Sequence, residues 1–276
     1  MTSQVKTADA LCLKHPFLRF LSDGLPTTFF KAQAHSRQFA GIFLLKPEVC
    51  RAGFDITLSV VEELERKASS NKIYITDVVG FGGRTFEVFS AFDRIYNKVA
   101  RFARFNLPAD TLSPKLTAAS TSFFERAVPV VGGATLVQKG FEPSDIQKYW
   151  SSAAEIVRIE ADCYAAPLEI HGQPHLLLNG FYPYKRAEFQ SGDARIIAVV
   201  FETNDDFEAC KPAIQGDADP RTRSSGSMRG FISRRLEEAG YPALSTTVNG
   251  LHMSSDPLAG RLEVEVIMDM LKEEEP

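Results

Sequence analysis

Three short apolar runs constrain this chain more than any other feature. They are Ala40-Gly-Ile-Phe-Leu-Leu45, Lys72-Ile-Tyr-Ile-Thr-Asp-Val-Val79 and Ile196-Ile-Ala-Val-Val-Phe201. Their length and branched side chains read as buried strands rather than helices. Between the first two, Phe54, Ile56, Leu58, Val60, Val61 and Leu64 fall mostly at helical spacing, with Glu62, Glu63, Glu65 and Arg66 among them. That pattern is an amphipathic helix.

The rest of the chain is less evenly legible. Gly80 and Gly82-Gly83 close the second strand, and aromatics every three or four residues predict a helix from Arg84 to Phe105. Asn106 to Ser122 reads as loop, Ala127 to Val137 as a hairpin around Gly132-Gly133, and Ser144 to Arg158 as a helix capped by Ser144. Asp205 to Ile214 has the look of a helix, Asp219 to Gly230 of a polar loop, Ser245 to Val248 of a β-type run and Leu262 to Leu271 of a helix. Residues 1–38 read as an appendage and 273–276 as a charged tail.

Bulk properties exclude several functions. With 276 residues and 44% hydrophobic content, the chain can bury roughly 70–75% of its unfolded surface without a disulfide or metal staple. A net charge of −4 and a pI of 5.8 give no whole-molecule field for nucleic acid or an anionic membrane surface. No apolar run approaches the roughly 18 residues of a membrane helix, and the first ten residues lack a signal-peptide layout. Cys12, Cys50, Cys163 and Cys210 are scattered, which argues against a zinc or disulfide framework and for reduced thiols in the cytoplasm.

Five segments carry chemistry, each with a plain structural alternative. Lys46-Pro47-Glu48 ends a strand, where a lysine either meets a phosphate or is solvated. Gly226-Ser-Met-Arg229-Gly230 combines backbone access with a bidentate cation, as does many a solvated loop. Asn249, His252, Ser254 and Ser255 form a polar cluster in a predicted loop; a nucleophilic histidine there needs a partner on its second nitrogen, which Glu263 or a backbone carbonyl supplies. Phe181-Tyr182-Pro183 followed by Tyr184-Lys-Arg186 either stacks a base or packs at a helix start. Gly80-Phe-Gly-Gly83 lacks both dinucleotide and P-loop signatures and reads as a turn. His171 and His175 have a helical metal spacing, but Gly172 and Pro174 predict a loop, so no metal is expected on them.

Taken in order, these segments resemble the nucleoside diphosphate kinase family. The family's Lys-Pro-Asp followed by Arg-Gly is similar to Lys46-Pro47-Glu48 followed by Arg51-Ala-Gly53. Its Phe-Phe-Pro, Ser-Gly and apolar strand are similar to Phe181-Tyr-Pro183, Ser191-Gly192 and Ile196 to Glu202. Its Gly-x-Thr-Asn-Pro and Gly-Thr-Ile-Arg-Gly resemble Gly216-Asp-Ala-Asp-Pro220 and Gly226-Ser-Met-Arg-Gly230. Its Asn-x-x-His-Gly-Ser-Asp-Ser resembles Asn249-Gly-Leu-His252-Met-Ser-Ser-Asp256, and its helix glutamate falls on Glu263.

The resemblance implies an α+β fold: a ferredoxin-like βαββαβ core with an antiparallel sheet, over 39–272, interrupted by an inserted α/β segment at about 97–178. A further ten or so residues are inserted at about 232–245. It also implies ping-pong phosphoryl transfer from a nucleoside triphosphate, through phosphohistidine at His252, to a phosphoryl acceptor that the insertion makes non-standard. Lys46 and Arg229 would neutralise the transferring group. Asn249 would hold sugar and phosphates, Glu263 would orient His252, Ser254 would support Glu263, Phe181 would stack on the base, and Mg2+ would bridge the phosphates. Tyr96 falls on the helix tyrosine near the histidine, and Lys211 is the cation nearest a missing arginine. The family assembles as tetramers or hexamers; with the appendage and insertion in the way of those contacts, a homodimer is expected, without membrane or nucleic-acid partners.

Departures leave an alternative: a weak or inactive nucleotide-binding regulatory module on the same fold. Ala218 replaces a phosphate-binding threonine, Asn179 an arginine and Met253 a glycine. Each lost charge-assisted bond is worth about 1.5–3 kcal/mol.

Overall fold

A computed structural model describes residues 19–21, 23–31, 37–217, 222, 224–242 and 244–272. The chain divides into two compact units, Met1–Ile95 with Phe189–Pro276, and Tyr96–Glu188.

The first strands of the first unit are β1 (Thr27–Lys31) and β2 (Phe39–Leu45). A short helix α1 (Pro47–Cys50) starts on a proline, whose missing N–H has no role in a first turn. Helix α2 (Phe54–Ser70) buries Thr57, Val60, Leu64 and Ala68 on one face. Strand β3 (Tyr74–Gly82) follows, then α3 (Gly83–Val88) and α4 (Ala91–Ile95). The single helix expected from Arg84 to Phe105 is therefore three pieces. Ser90 sits at φ 49 and interrupts the first two, a left-handed conformation that no continuing helix tolerates.

The second unit holds that third piece, α5 (Asn97–Ala103), then β4 (Asn106–Leu107), a 3-10 turn at Ala109–Thr111 and α6 (Pro114–Phe124). The expected loop over Asn106 to Ser122 thus contains most of a helix, capped where the Ser113 side chain accepts from Leu116 N–H. Next come β5 (Val130–Gly132), α7 (Gly133–Gln138) and α8 (Pro143–Ser152). Gly132-Gly133 is a strand-to-helix junction and not a hairpin. A Cβ on Gly132 would lie 2.1 Å from the Ala103 carbonyl oxygen, so this backbone approach requires glycine. The helix expected to Arg158 stops at Ser152 and is capped at Glu142, because Val157 opens a strand. Strands β6 (Val157–Glu160), β7 (Cys163–Ile170) and β8 (Gln173–Leu178) complete a sheet ordered β4-β5-β8-β7-β6. Its β5–β8 pair is parallel and its other pairs are antiparallel.

Helix α9 (Tyr182–Gln190) leads back into the first unit, where Phe189 is fully buried beside Phe86 and Phe92. Strand β9 (Arg195–Thr203) is buried along nearly its whole length. After α10 (Lys211–Gln215) and α11 (Met228–Glu238), the chain adds β10 (Leu251–Met253) and α12 (Pro257–Lys272). The helix expected over Asp205 to Ile214 is only the short α10, preceded by turns. Ser245 to Val248 is not a strand; the strand starts at Leu251.

The first sheet runs β1-β3-β9-β2-β10, and every neighbouring pair is antiparallel. The molecule is thus a mixed α+β structure with an antiparallel sheet. Side chains alternate across β2: Phe43 and Leu45 join a core with Val60, Leu64 and Ala68 of α2. Leu251 and Met253, which pair with Leu45 and Phe43, join the same core. His252 pairs with Leu44 and therefore faces the other side, where α12 lies. On that side a Cβ on Gly260 would come 2.3 Å from the Ala40 carbonyl oxygen. Only glycine lets α12 approach β2 so closely.

Candidate active site

His252 lies on an edge strand of three residues and not in the loop that its polar neighbours suggested. The apolar flanks Leu251 and Met253 are buried, and the pairing of β10 with β2 turns the imidazole toward α12. The His252 side chain is only 14% exposed and that of Glu263 6%. His252 Nε2 donates to Glu263 Oε2 over 3.1 Å, and Ser254 Oγ donates to the same oxygen over 2.6 Å. Ser254 Oγ in turn accepts from Ile42 N–H at 2.8 Å. A strand amide, a hydroxyl, a carboxylate and the imidazole form one relay.

The relay decides the tautomer. A carboxylate accepting at Nε2 places the ring proton there, so Nδ1 carries the lone pair in the neutral imidazole. Burial moves His252 below its ordinary value of 6.5; Glu263 pulls it back, while the charges of Lys211 and Lys46 push it further down. A neutral ring with an in-plane lone pair is a nucleophile, whereas an imidazolium is not.

Two cations act on His252, Lys46 and Lys211, and a third, Arg229, braces the backbone of its strand. Lys46 continues the alternation of β2 past Leu45, in extended backbone, toward the side of Leu44 and His252. It is buried, and its Nζ donates to Asn249 Oδ1 over 2.7 Å. Asn249 Nδ2 is anchored on the Thr246 carbonyl at 2.9 Å. Lys211 starts α10. Arg229, in the first turn of α11, donates from Nη2 and Nε to the Leu251 carbonyl at 3.0 and 3.3 Å, and from Nη1 to the Gly216 carbonyl at 2.9 Å. His252, Glu263, Ser254, Lys46, Asn249, Lys211 and Arg229 therefore all belong to the first unit.

Other expected site residues fall elsewhere. Phe181 belongs to the second unit, where its ring packs on Trp150 and Tyr164 at centroid distances of 5.6 and 6.4 Å. Tyr96 opens that unit as the residue preceding α5, its carbonyl accepting from Ala100 N–H. Asn179 is fully buried there and ties Tyr164 N–H to the Val99 and Asp162 carbonyls. An arginine would not fit that network. His171 and His175 stand at the β7–β8 turn. Ala218, and with it most of Gly216-Asp-Ala-Asp-Pro220, lies outside the described residues.

One contributor, Gln215, escaped the sequence reading, and the contact made by Glu48, which that reading named without a role, escaped it too. Gln215 is buried and donates from Nε2 to the same Leu251 carbonyl at 3.2 Å. Glu48 Oε1 accepts from Gly250 N–H at 2.9 Å, tying the Lys46 segment to the His252 segment. Neither a buried glutamine nor a carboxylate capping a distant glycine leaves a local pattern to read.

Among the described residues, no group of three His, Cys, Asp or Glu side chains is arranged to hold a metal ion. The donors around His252 are ammonium, guanidinium and amide groups, which suit phosphate oxygens. No protein-family model matches the chain, and a search of curated proteins returned no match.

Proposed function

We propose that this chain is a nucleotide-dependent phosphotransferase resembling nucleoside diphosphate kinase, with His252 as the phosphate-accepting nucleophile. The relay through Glu263 and Ser254 carries this reading, because it leaves the lone pair of His252 on Nδ1 beside Lys46 and Lys211. The strand order β3-β9-β2-β10, with α2 crossing from β2 to β3, supports a ferredoxin-like βαββαβ core.

In the first half-reaction Nδ1 attacks the γ-phosphorus of a nucleoside triphosphate. The N–P bond forms, the bond to the bridging oxygen breaks, and the nucleoside diphosphate leaves with that electron pair. Glu263 stabilises the positive charge that develops on the imidazole, and Lys46 and Lys211 offset the negative charge of the phosphoryl oxygens. In the second half an acceptor oxygen attacks the phosphorus, the O–P bond forms, and the N–P bond breaks with its electron pair returning to Nδ1, which restores the neutral ring. Magnesium, when bound, would supply charge neutralisation on the phosphates; the side-chain set here fits an ion carried on the nucleotide rather than by the protein.

Incubation with γ-labelled ATP and Mg2+ should yield an acid-labile, base-stable phosphoprotein, and His252→Ala should abolish it. Unchanged labelling in that variant overturns the reading. A second reading is nucleotide binding without turnover. It draws on Arg229, three of whose N–H groups are spent on the Leu251 and Gly216 carbonyls. On that reading ATP raises the melting temperature but no label is transferred.

A further inference from the structure

The second unit holds a cleft of about 410 Å3, remote in sequence from every residue of the His252 site. It opens at the end of the core formed by Phe102, Leu116, Cys163 and their neighbours. The cleft is open to solvent on one side and closed on the other by buried side chains. It falls within the roughly 300–1,000 Å3 of small-molecule sites.

The lining divides by chemistry. Phe102, Phe105, Leu107, Leu116, Ile159 and Cys163 supply the apolar wall. Phe102 and Phe105 meet edge to face at 5.3 Å, which fixes both rings. Burial and the Glu160 carboxylate push the Cys163 thiol up to about 12, so it stays protonated and counts as apolar surface. The charged lining is Arg101, Lys115 and Glu160. Lys115 Nζ meets Glu160 Oε2 at 3.2 Å, and the two cancel. Arg101 lies over the Phe102 ring at 4.9 Å and has no carboxylate partner among the described residues. One guanidinium is left unanswered at the edge of an apolar cleft.

We infer that this cleft binds a small monocarboxylate with an apolar body, such as a medium-chain fatty acid or an aryl-alkyl acid, its carboxylate on Arg101 and its body against Phe102, Phe105 and Leu116. A neutral ligand would leave the one unmatched charge unused. A phosphate ester would meet one free cation where bidentate phosphate sites gather several.

Octanoate and 4-phenylbutyrate, with octanol as the neutral control, test this by calorimetric titration and thermal shift on the full chain. Both acids should bind and raise the melting temperature, and octanol should bind about two- to fivefold more weakly, as an exposed ion pair allows. Arg101→Gln, an exposed change, should bring acid and alcohol to equal affinity. Leu116→Trp should fill the cleft and abolish binding of all three; if that variant shows no cooperative melt, Arg101→Gln decides. Absence of binding by the acids, equal binding of octanol to the unaltered chain, or undiminished acid binding in Arg101→Gln overturns the inference.

Discussion

Glu263 Oε2 receives two hydrogen bonds, from His252 Nε2 at 3.1 Å and from Ser254 Oγ at 2.6 Å. The pairing of His252 with Glu263 joins an edge strand to α12 and sets which imidazole nitrogen carries the lone pair. Glu263→Gln keeps the shape of the side chain but presents either an N–H donor or a weaker acceptor to Nε2. It should slow phosphohistidine formation roughly tenfold to a hundredfold with little change in fold, as read by rapid-quench labelling beside a thermal melt. An undiminished rate would show that the pair is only structural.

Ser254→Ala removes the donor to Glu263 and also strands the Ile42 N–H, since that amide donates to Ser254 Oγ at 2.8 Å in a fully buried setting. Leaving a buried donor unmatched should destabilise the chain by about 1–3 kcal/mol. Urea unfolding measures this directly, and Ser254→Thr should recover part of the loss because it keeps the hydroxyl.

The pH dependence follows from His252. Its folded-state proton affinity is lowered by burial, opposed by Glu263 and reinforced by Lys211 and Lys46. Below the ordinary value of 6.5 the unfolded chain takes up a proton at this residue that the folded chain refuses. Stability contributed by His252 is thus present above 6.5 and declines as the pH falls from there toward the folded value. The margin in urea midpoint of the wild type over His252→Gln should shrink along that same descent. Labelling should persist below pH 6.5, where a free imidazole would be mostly protonated.

Gly260→Ala tests the seating of α12. The added Cβ would stand 2.3 Å from the Ala40 carbonyl oxygen and 3.1 Å from Gly41 Cα, both backbone atoms with little freedom to yield. Overpacking of this kind costs about 1–3 kcal/mol. Because α12 carries Glu263 one turn later, labelling should fall as well as stability; a melt that drops without loss of label would separate the helix seat from the chemistry.

Lys46→Met should leave the strand in place and remove both the ammonium and its bond to Asn249. Its effect should fall on phosphoryl transfer by tenfold or more, on the scale of about 1.5–3 kcal/mol for a charge-assisted bond. It should also raise the His252 proton affinity, observable in the imidazole resonances by NMR titration.

What the linear sequence determined is what depends on neighbours along the chain. Ala40 to Leu45 and Ile196 to Phe201 are strands because their branched apolar residues suit a pleated, buried surface; the run expected over Lys72 to Val79 starts at Tyr74 and continues through Gly80 to Gly82, read as a turn, because β9 pairs with it that far, and α2 and α12 follow their helical spacing. The motif string also named His252, Ser254 and Glu263, which meet on the α12 side of the sheet. It misplaced what long-range contacts decide. Three polar residues around His252 read as a loop, yet β2 supplies the hydrogen bonds that make Leu251–Met253 a strand. Phe181 read as a partner of His252 but packs with Trp150 and Tyr164 in the second unit. Gln215 and Gly260 left no local signature, and the motif that named Glu48 did not show its contact, because these roles lie in carbonyls, amides and backbone atoms far away in sequence. Periodicity records which face of an element is apolar. It does not record which element covers that face, and the proton on Nε2 of His252 is set by the helix that does.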